Sequence, residues 1–149
     1  ALKIYDQAFS LGSPLDGDGK VSYLNLVGGS KLASLPKEQQ QLLSDYAITL
    51  AQENLSANPN DSLMNVQLAQ AYYTAYILDL GDDNAQLAID YLDKSLALSP
   101  ERLPVHYLKA NILLSEGRKE EAVATLEPLV ELNPDYPDTY CNLFNCRWS

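Results

Sequence analysis

Residues 119–134, KEEAVATLEPLVELNP, decide the fold, because near-copies of them stand at 85–100, AQLAIDYLDKSLALSP, and at 44–59, SDYAITLAQENLSANP. Each copy closes on a proline, at Asn58-Pro59, Ser99-Pro100 and Asn133-Pro134. Twelve residues before each proline stand Ala47, Ala88 and Ala122; eight before, Ala51, Leu92 and Leu126; four before, Leu55, Leu96 and Val130; two before, Ala57, Leu98 and Leu132. Apolar or small residues thus recur at helical spacing, always in the same phase to a residue that stops a helix. The second and third prolines are 34 residues apart and the first and second 41. A helical unit of that length, repeated, predicts a quasi-one-dimensional array whose units bury their apolar faces against one another.

The front half of each unit has its own pattern. Leu68, Ala69 and Tyr72 follow Pro59 at the offsets at which Lys109, Ala110 and Leu113 follow Pro100. A small residue at one fixed place lets two helices approach closely, while Tyr72 and Leu113 fill the space beside it. Gly117 then interrupts the unit between Ile112-Leu113-Leu114 and Glu120-Glu121-Ala122, where a turn is needed. In length and in this small/aromatic/Ala/Pro pattern the sequence resembles the tetratricopeptide repeat, a helix–turn–helix unit. The resemblance implies an all-α, right-handed superhelical solenoid of antiparallel helix pairs, with about three repeats at 17–61, 62–102 and 103–136. The seven extra residues of the second unit are expected to lengthen its first helix through Tyr76-Ile77-Leu78 and to widen the turn at Gly81-Asp82-Asp83-Asn84. In the first unit the opening helix, around Tyr23 to Leu32, contains Gly28-Gly29. Each helical Gly costs about 1 kcal/mol relative to Ala, so a break or a close helix crossing is expected there.

Both ends read as half-repeats. Ala1, Tyr5, Ala8, Phe9 and Leu11, followed by Ser13-Pro14, reproduce a second helix without its first (1–14). Residues 137–149 reproduce a first helix without its second, with Tyr140, Leu143 and Phe144 on its apolar side and Phe144 where intact units have Ala. Solenoids ordinarily need polar capping units at their ends. The open ends therefore imply either a piece of a longer protein, with which a first residue of Ala agrees, or two ends that meet, with Tyr5 and Phe9 of one copy facing Tyr140, Leu143 and Phe144 of the next.

At 149 residues, 46% hydrophobic and 20% charged, the chain has the composition of one folded domain. A net charge of −10, with scattered basic residues, argues against nucleic acid, whose binding depends on neutralising phosphates. No apolar stretch reaches the roughly 20 residues of a membrane-spanning helix. Cys141 and Cys146 are five apart, displaced by about 140° around a continuous helix. They read as two free thiols, one packed and one exposed, or as a disulfide closing a frayed terminal turn. With His106 remote in sequence they do not make a metal ligand set.

Catalytic signals are weak. Asp16-Gly17-Asp18-Gly19 resembles part of a calcium loop, but Pro14 and Asn25 stand where essential carboxylates belong, leaving an acidic turn as the reading. His106, the only histidine, is expected to pack partly buried, since no Ser or Cys is placed as its nucleophile. Asn54 and Asn60 fit the glycosylation acceptor pattern, Asn54 within a helix and Asn60 at a more exposed turn. The sequence offers no phosphate loop, catalytic set or cofactor site, and points to a non-enzymatic protein.

Function is then expected on the solenoid's concave face, lined by the first helices of the repeats. Val66, Gln70 and Tyr73, then Tyr107, Asn111 and Leu114, then Cys141 and Asn145 are expected there, a mixed aromatic and amide surface suited to a peptide backbone or a sugar, though several of these side chains also suit packing between helices. A subclass of the family grips peptide carboxylates with Lys, Arg and Asn; Val66, Gln70, Tyr107 and Asn111 occupy those places without the basic residues. The run from Ala1 through Tyr140 also resembles the soluble tetratricopeptide tails of bacterial O-antigen ligase or polymerase-like membrane proteins, in Asp6 to Leu11, Leu35 to Glu38, Asn58 to Asp61, Tyr91 to Pro100 and Leu129 to Pro137. That resemblance implies a domain outside the cytoplasm beside a glycan-handling membrane enzyme. Three functions follow as expectations: a scaffold holding a protein partner or a glycan, a structural subunit assembling head to tail into a filament, and an accessory domain of such an enzyme.

Overall fold

The computed structural model describes residues 32–132 and 134–148; the half-repeat 1–14, the acidic turn at 16–19 and Gly28-Gly29 lie outside the described residues. A 3-10 turn, Leu32–Ser34, is followed by six α-helices: α1 (Lys37–Ala57), α2 (Ser62–Ile77), α3 (Asn84–Leu98), α4 (Leu103–Ser115), α5 (Lys119–Leu132) and α6 (Pro137–Trp148). Each helix packs on the next, with α2 on α3 and α4 on α5 as the two complete pairs, and α6 also touching α4. The result is a helical solenoid without strands among the described residues.

The prolines sit where their phase placed them. α1 stops at Ala57, α3 at Leu98 and α5 at Leu132, each just before its Asn-Pro or Ser-Pro step. Pro128 is a proline that does not stop its helix. An interior proline removes one backbone hydrogen bond and costs about 3 kcal/mol. α5 continues because Leu126 and Leu129, on either side of Pro128, are buried, and full burial of such side chains stabilises by about 1.5–3 kcal/mol each.

The seven extra residues of the second unit are distributed: three lengthen α2 relative to α4, three widen the turn between the paired helices, and one lengthens α3 relative to α5. The added turn carries Leu78 and Leu80 onto a satellite core with Leu32, Ala47 and Leu50, flanked by Leu35, Leu43 and Tyr46. Lys37 Nζ donates to the Leu78 carbonyl, and the insertion thus clamps the start of α1.

α2 and α4 end alike. Leu80 N–H bonds the Ala75 carbonyl at 3.0 Å and Arg118 N–H the Leu113 carbonyl at 2.8 Å, each closing a Schellman motif around a left-handed residue. That residue is Gly117 (φ 72°) after α4 but Asp79 (φ 56°) after α2.

The main core runs through Ala69, Ala85, Ala88, Leu92, Ala110, Leu113, Ala122 and Leu126 to Leu143 and Cys146. A tie of Gln52 to the Tyr72 hydroxyl (3.1 Å), Tyr72 stacked on Tyr91 (5.8 Å) and Lys94 over the Tyr91 ring (4.1 Å) joins α1, α2 and α3. Inside the α2–α3 pair, Ser95 Oγ donates to the Ser62 carbonyl (2.9 Å), Ser62 Oγ lies 2.9 Å from Ser95 Oγ, and Arg102 donates to Ser62 Oγ (3.3 Å). At the equivalent places the next unit has Leu103 and Leu129, so a relayed polar contact replaces an apolar one.

Gly117→Ala is expected to cost about 1–2 kcal/mol, the strain of a left-handed L-residue, because its Cβ would meet nothing within 4 Å. Asp79→Gly should raise stability instead, and urea denaturation midpoints of the two variants read the opposite signs. Ser95→Ala should destabilise by about 1–3 kcal/mol, since it leaves Ser62 partly unsatisfied in a buried place; adding Ser62→Ala to it should cost less than the sum of the single changes.

Candidate interaction surface

Three registers repeat along the first helices: Val66, Tyr107 and Cys141; Gln70, Asn111 and Asn145; Tyr73, Leu114 and Trp148. The structure treats them differently. Val66 is buried in the main core, and Tyr107 is half-buried against it, donating to or accepting from Thr139 Oγ1 at 2.6 Å. Cys141 is exposed. The amide register is exposed throughout, and the side chains of Gln70 and Asn111 have no hydrogen-bond partner among the described residues. Tyr73 and Leu114 are half-buried and pack against the core.

The tyrosine hydroxyls are engaged between helices. Ser115 Oγ donates to the Asn111 carbonyl at 3.0 Å, which leaves it to accept from the Tyr73 hydroxyl at 3.2 Å. Tyr76, stacked on Tyr73 at 6.2 Å, donates to the Ser115 carbonyl at 3.2 Å. The neighbouring Glu116 carboxylate, through hydrogen bonding, and then burial hold the Tyr76 phenol above its ordinary pKa, so it remains a donor at neutral pH. Tyr73 and Tyr76 tie α2 to α4, and Tyr107 ties α4 to α6.

Charge is partitioned between the two kinds of helix, a feature visible only once the helix bounds are known. α2 carries no charged residue. α4 carries one, Lys109, apart from His106, and it is held by Asp93 of α3 at 2.5 Å. α1, α3 and α5 hold Glu38, Asp45, Glu53, Asp90, Asp93, Glu120, Glu121, Glu127 and Glu131. The surface of α2 and α4 is therefore aromatic and amide without net charge, in an otherwise acidic protein.

The remaining sequence candidates are structural. His106 is half-buried; its Nε2 lies 2.8 Å from the Pro100 carbonyl, which can only accept, so Nε2–H donates and the ring caps the turn before α4. Asn54 is buried within α1, whereas Asn60 is exposed in a turn. Among the described residues no group of three or more His, Cys, Asp or Glu side chains is placed to hold a metal, and no helix is long and apolar enough to cross a membrane. A hollow of about 710 Å³ at the turn edge is lined by Asp61, Ser62, Ser99 and Arg102. Three of its polar side chains are committed within the fold, Asp61 capping α2 through Leu63 N–H (2.7 Å), Ser62 bonding Ser95, and Arg102 donating to Ser62.

The family profile described as tetratricopeptide repeat matches residues 79–140. Lipopolysaccharide assembly protein B of Haemophilus influenzae is 32% identical over 105 residues, which cover 65% of this chain and 26% of that protein. The solved structure of a mutant O-GlcNAc transferase from Thermobaculum terrenum superposes with a TM-score of 0.54 at 20% identity, over 85% of this chain and 22% of that one. This chain spans about a quarter of the length of these two relatives. Residues 79–140 thus match the tetratricopeptide-repeat profile, within a helical solenoid that superposes on a solved one, and such repeats generally bind protein partners.

Burial pushes the Cys146 thiol above its ordinary pKa, whereas Cys141 is exposed. Iodoacetamide under native conditions should therefore label Cys141 alone, and both cysteines in urea; mass spectrometry of the tryptic peptides distinguishes the two outcomes.

Proposed function

We propose that this array is a non-enzymatic scaffold that holds an extended, uncharged polypeptide segment along the face shared by α2, α4 and α6. The recurrence of Gln70, Asn111 and Asn145 at one register carries this reading. Neighbouring packed helices lie about 8–10 Å apart, and three residues of extended chain span about 10 Å. One amide per helix thus suits every third peptide unit of such a segment. Gln70 and Asn111 each offer both a donor and an acceptor, the complement of a peptide group. Tyr73 and Leu114 beside them supply apolar contact, while Val66, being buried, belongs to the support of this face. The absence of free charge on α2 and α4 disfavours a charged segment, whose ionic groups would lose water without gaining a partner.

A glycan is the second reading, because sugar hydroxyls suit the same amides and the Haemophilus relative is named for lipopolysaccharide assembly. On that reading the array is an accessory domain beside a glycan-handling membrane enzyme, outside the cytoplasm.

Peptides selected by display against the wild-type chain test the proposal. Gln70→Ala and Asn111→Ala should each weaken a selected peptide by about 2–10-fold, the worth of one net hydrogen bond, with circular dichroism and unfolding midpoint unchanged. Failure of selection, or equal binding by the double variant, refutes the peptide reading; binding of an O-antigen oligosaccharide that these variants lose would favour the glycan.

A further inference from the structure

Gln70 of α2 and Asn111 of α4 are exposed at one register of neighbouring first helices. The two helices touch directly: the Tyr73 hydroxyl lies 3.2 Å from Ser115 Oγ, and Tyr76 donates to the Ser115 carbonyl at 3.2 Å. Packed helices lie about 8–10 Å apart, so a segment crossing them must present peptide groups to one side at that interval. A β-strand returns to the same side after two residues, about 6.6–6.8 Å, or four, about 13–14 Å, and points away at three. An α-helical segment spends its interior peptide groups on its own hydrogen bonds. The polyproline II helix has three residues per turn, a rise of about 3.1 Å and no internal hydrogen bonds. Every third peptide group therefore returns to one side after about 9.3 Å, unpaired.

The remainder of the face suits prolines. Tyr73 reaches from α2 to α4, and Tyr107 from α4 to α6, its hydroxyl 2.6 Å from Thr139 Oγ1. With the hydroxyls engaged between helices, these two half-buried residues offer ring surface, Tyr73 one turn after the amide register and Tyr107 one turn before it. α2 carries no charged residue, and Lys109 of α4 is held by Asp93. A basic segment would find no carboxylate on this strip, and an acidic one would meet the carboxylates of α1, α3 and α5 on either side. Proline brings no charge.

We propose that the segment held on this face is proline-rich and crosses α2 and α4 as a polyproline II helix. Carbonyls three residues apart accept from the Gln70 and Asn111 side-chain amides, and prolines lie against the Tyr73 and Tyr107 rings. The assignment rests on the scaffold function proposed above and names the partner's class and conformation. Proline fixes φ near −65° and so reduces the freedom that the segment loses on binding.

Two twelve-residue display libraries, uncharged at their variable positions, test this on the full chain: one has Pro fixed at every third position, the other Ala. The Pro library should yield the tighter binders. Replacing one fixed Pro by Ala in a selected peptide should weaken it about 2–5-fold. Inserting one Ala between two fixed prolines, which breaks the three-residue interval, should weaken it about 2–10-fold, the worth of one hydrogen bond. Either Gln70→Ala or Asn111→Ala should then cost the inserted peptide nothing further, although both weaken the parent peptide. Pro peptides indifferent to the insertion, or improved by Pro→Ala, overturn the polyproline II assignment. Binders from the Ala library alone, still weakened by Gln70→Ala and Asn111→Ala, overturn it and leave the scaffold function standing. No binder from either library overturns both.

Discussion

The structure depends on the close approach of two helices across residues too small to hold them apart. Ala69, Ala85, Ala88, Ala110 and Ala122 are almost completely buried, and their size sets the separation of each pair. Leu92, Leu113 and Leu126 then fill the remaining space. Helix packing distances follow the side chains at the contact, so a larger residue at an alanine position would move the whole helix. Because each pair packs on the next, that separation is passed along the array. The polar relay of Ser62, Ser95 and Arg102 is possible within this constraint because two serines, like an Ala–Leu pair, permit a short interhelical distance.

The alanines and prolines were legible in the sequence because their meaning is local. A proline biases a helix to end through its own ring, although α5 runs on through Pro128, and small residues at fixed spacing imply a close neighbour whatever that neighbour is. Gly117 was legible for the same reason. Asp79 was not: it takes the same left-handed place as Gly117, but aspartate adopts that conformation only when the surrounding hydrogen bonds require it. Gly81, the more conspicuous signal, lies two residues beyond the actual cap. The inserted residues lengthen the first helix and widen the turn as expected, but α2 stops at Ile77, one short of Leu78, and one residue goes to α3; nothing in them indicated that Leu78 and Leu80 reach back to Leu32 and Leu50, a contact between distant parts of the chain.

The candidate surface was legible in its register and less so in its use. Helical spacing put Gln70, Asn111 and Asn145 at one register, and the structure leaves all three exposed. The same spacing grouped Val66 with Tyr107 and Cys141, although burial falls from the first to the last. A first helix in a stack meets its own partner, the preceding unit and the following unit, and the number of neighbours changes along the array. Equivalent positions therefore have equivalent directions but unequal burial. The hydroxyls of Tyr73, Tyr76 and Tyr107 illustrate the consequence, since contacts with Ser115 and Thr139 of the next helices engage groups that a single repeat would leave to solvent.

Charge partition follows from the same geometry. Side chains of α4 face first helices on either side, α2 and α6, and those of α2 face α4, where an unpaired charge would lose solvation. Lys109, the exception apart from His106, has Asp93 as its partner. Second helices keep a broader solvent-facing side, and there Asp90, Glu120, Glu127 and Glu131 can stand without such a cost. The acidic residues of the described helices are thus concentrated on α1, α3 and α5 and spare α2 and α4. That asymmetry leaves the amide register of α2, α4 and α6 as an uncharged strip, on which recognition would depend on hydrogen-bond geometry and fit more than on electrostatic attraction.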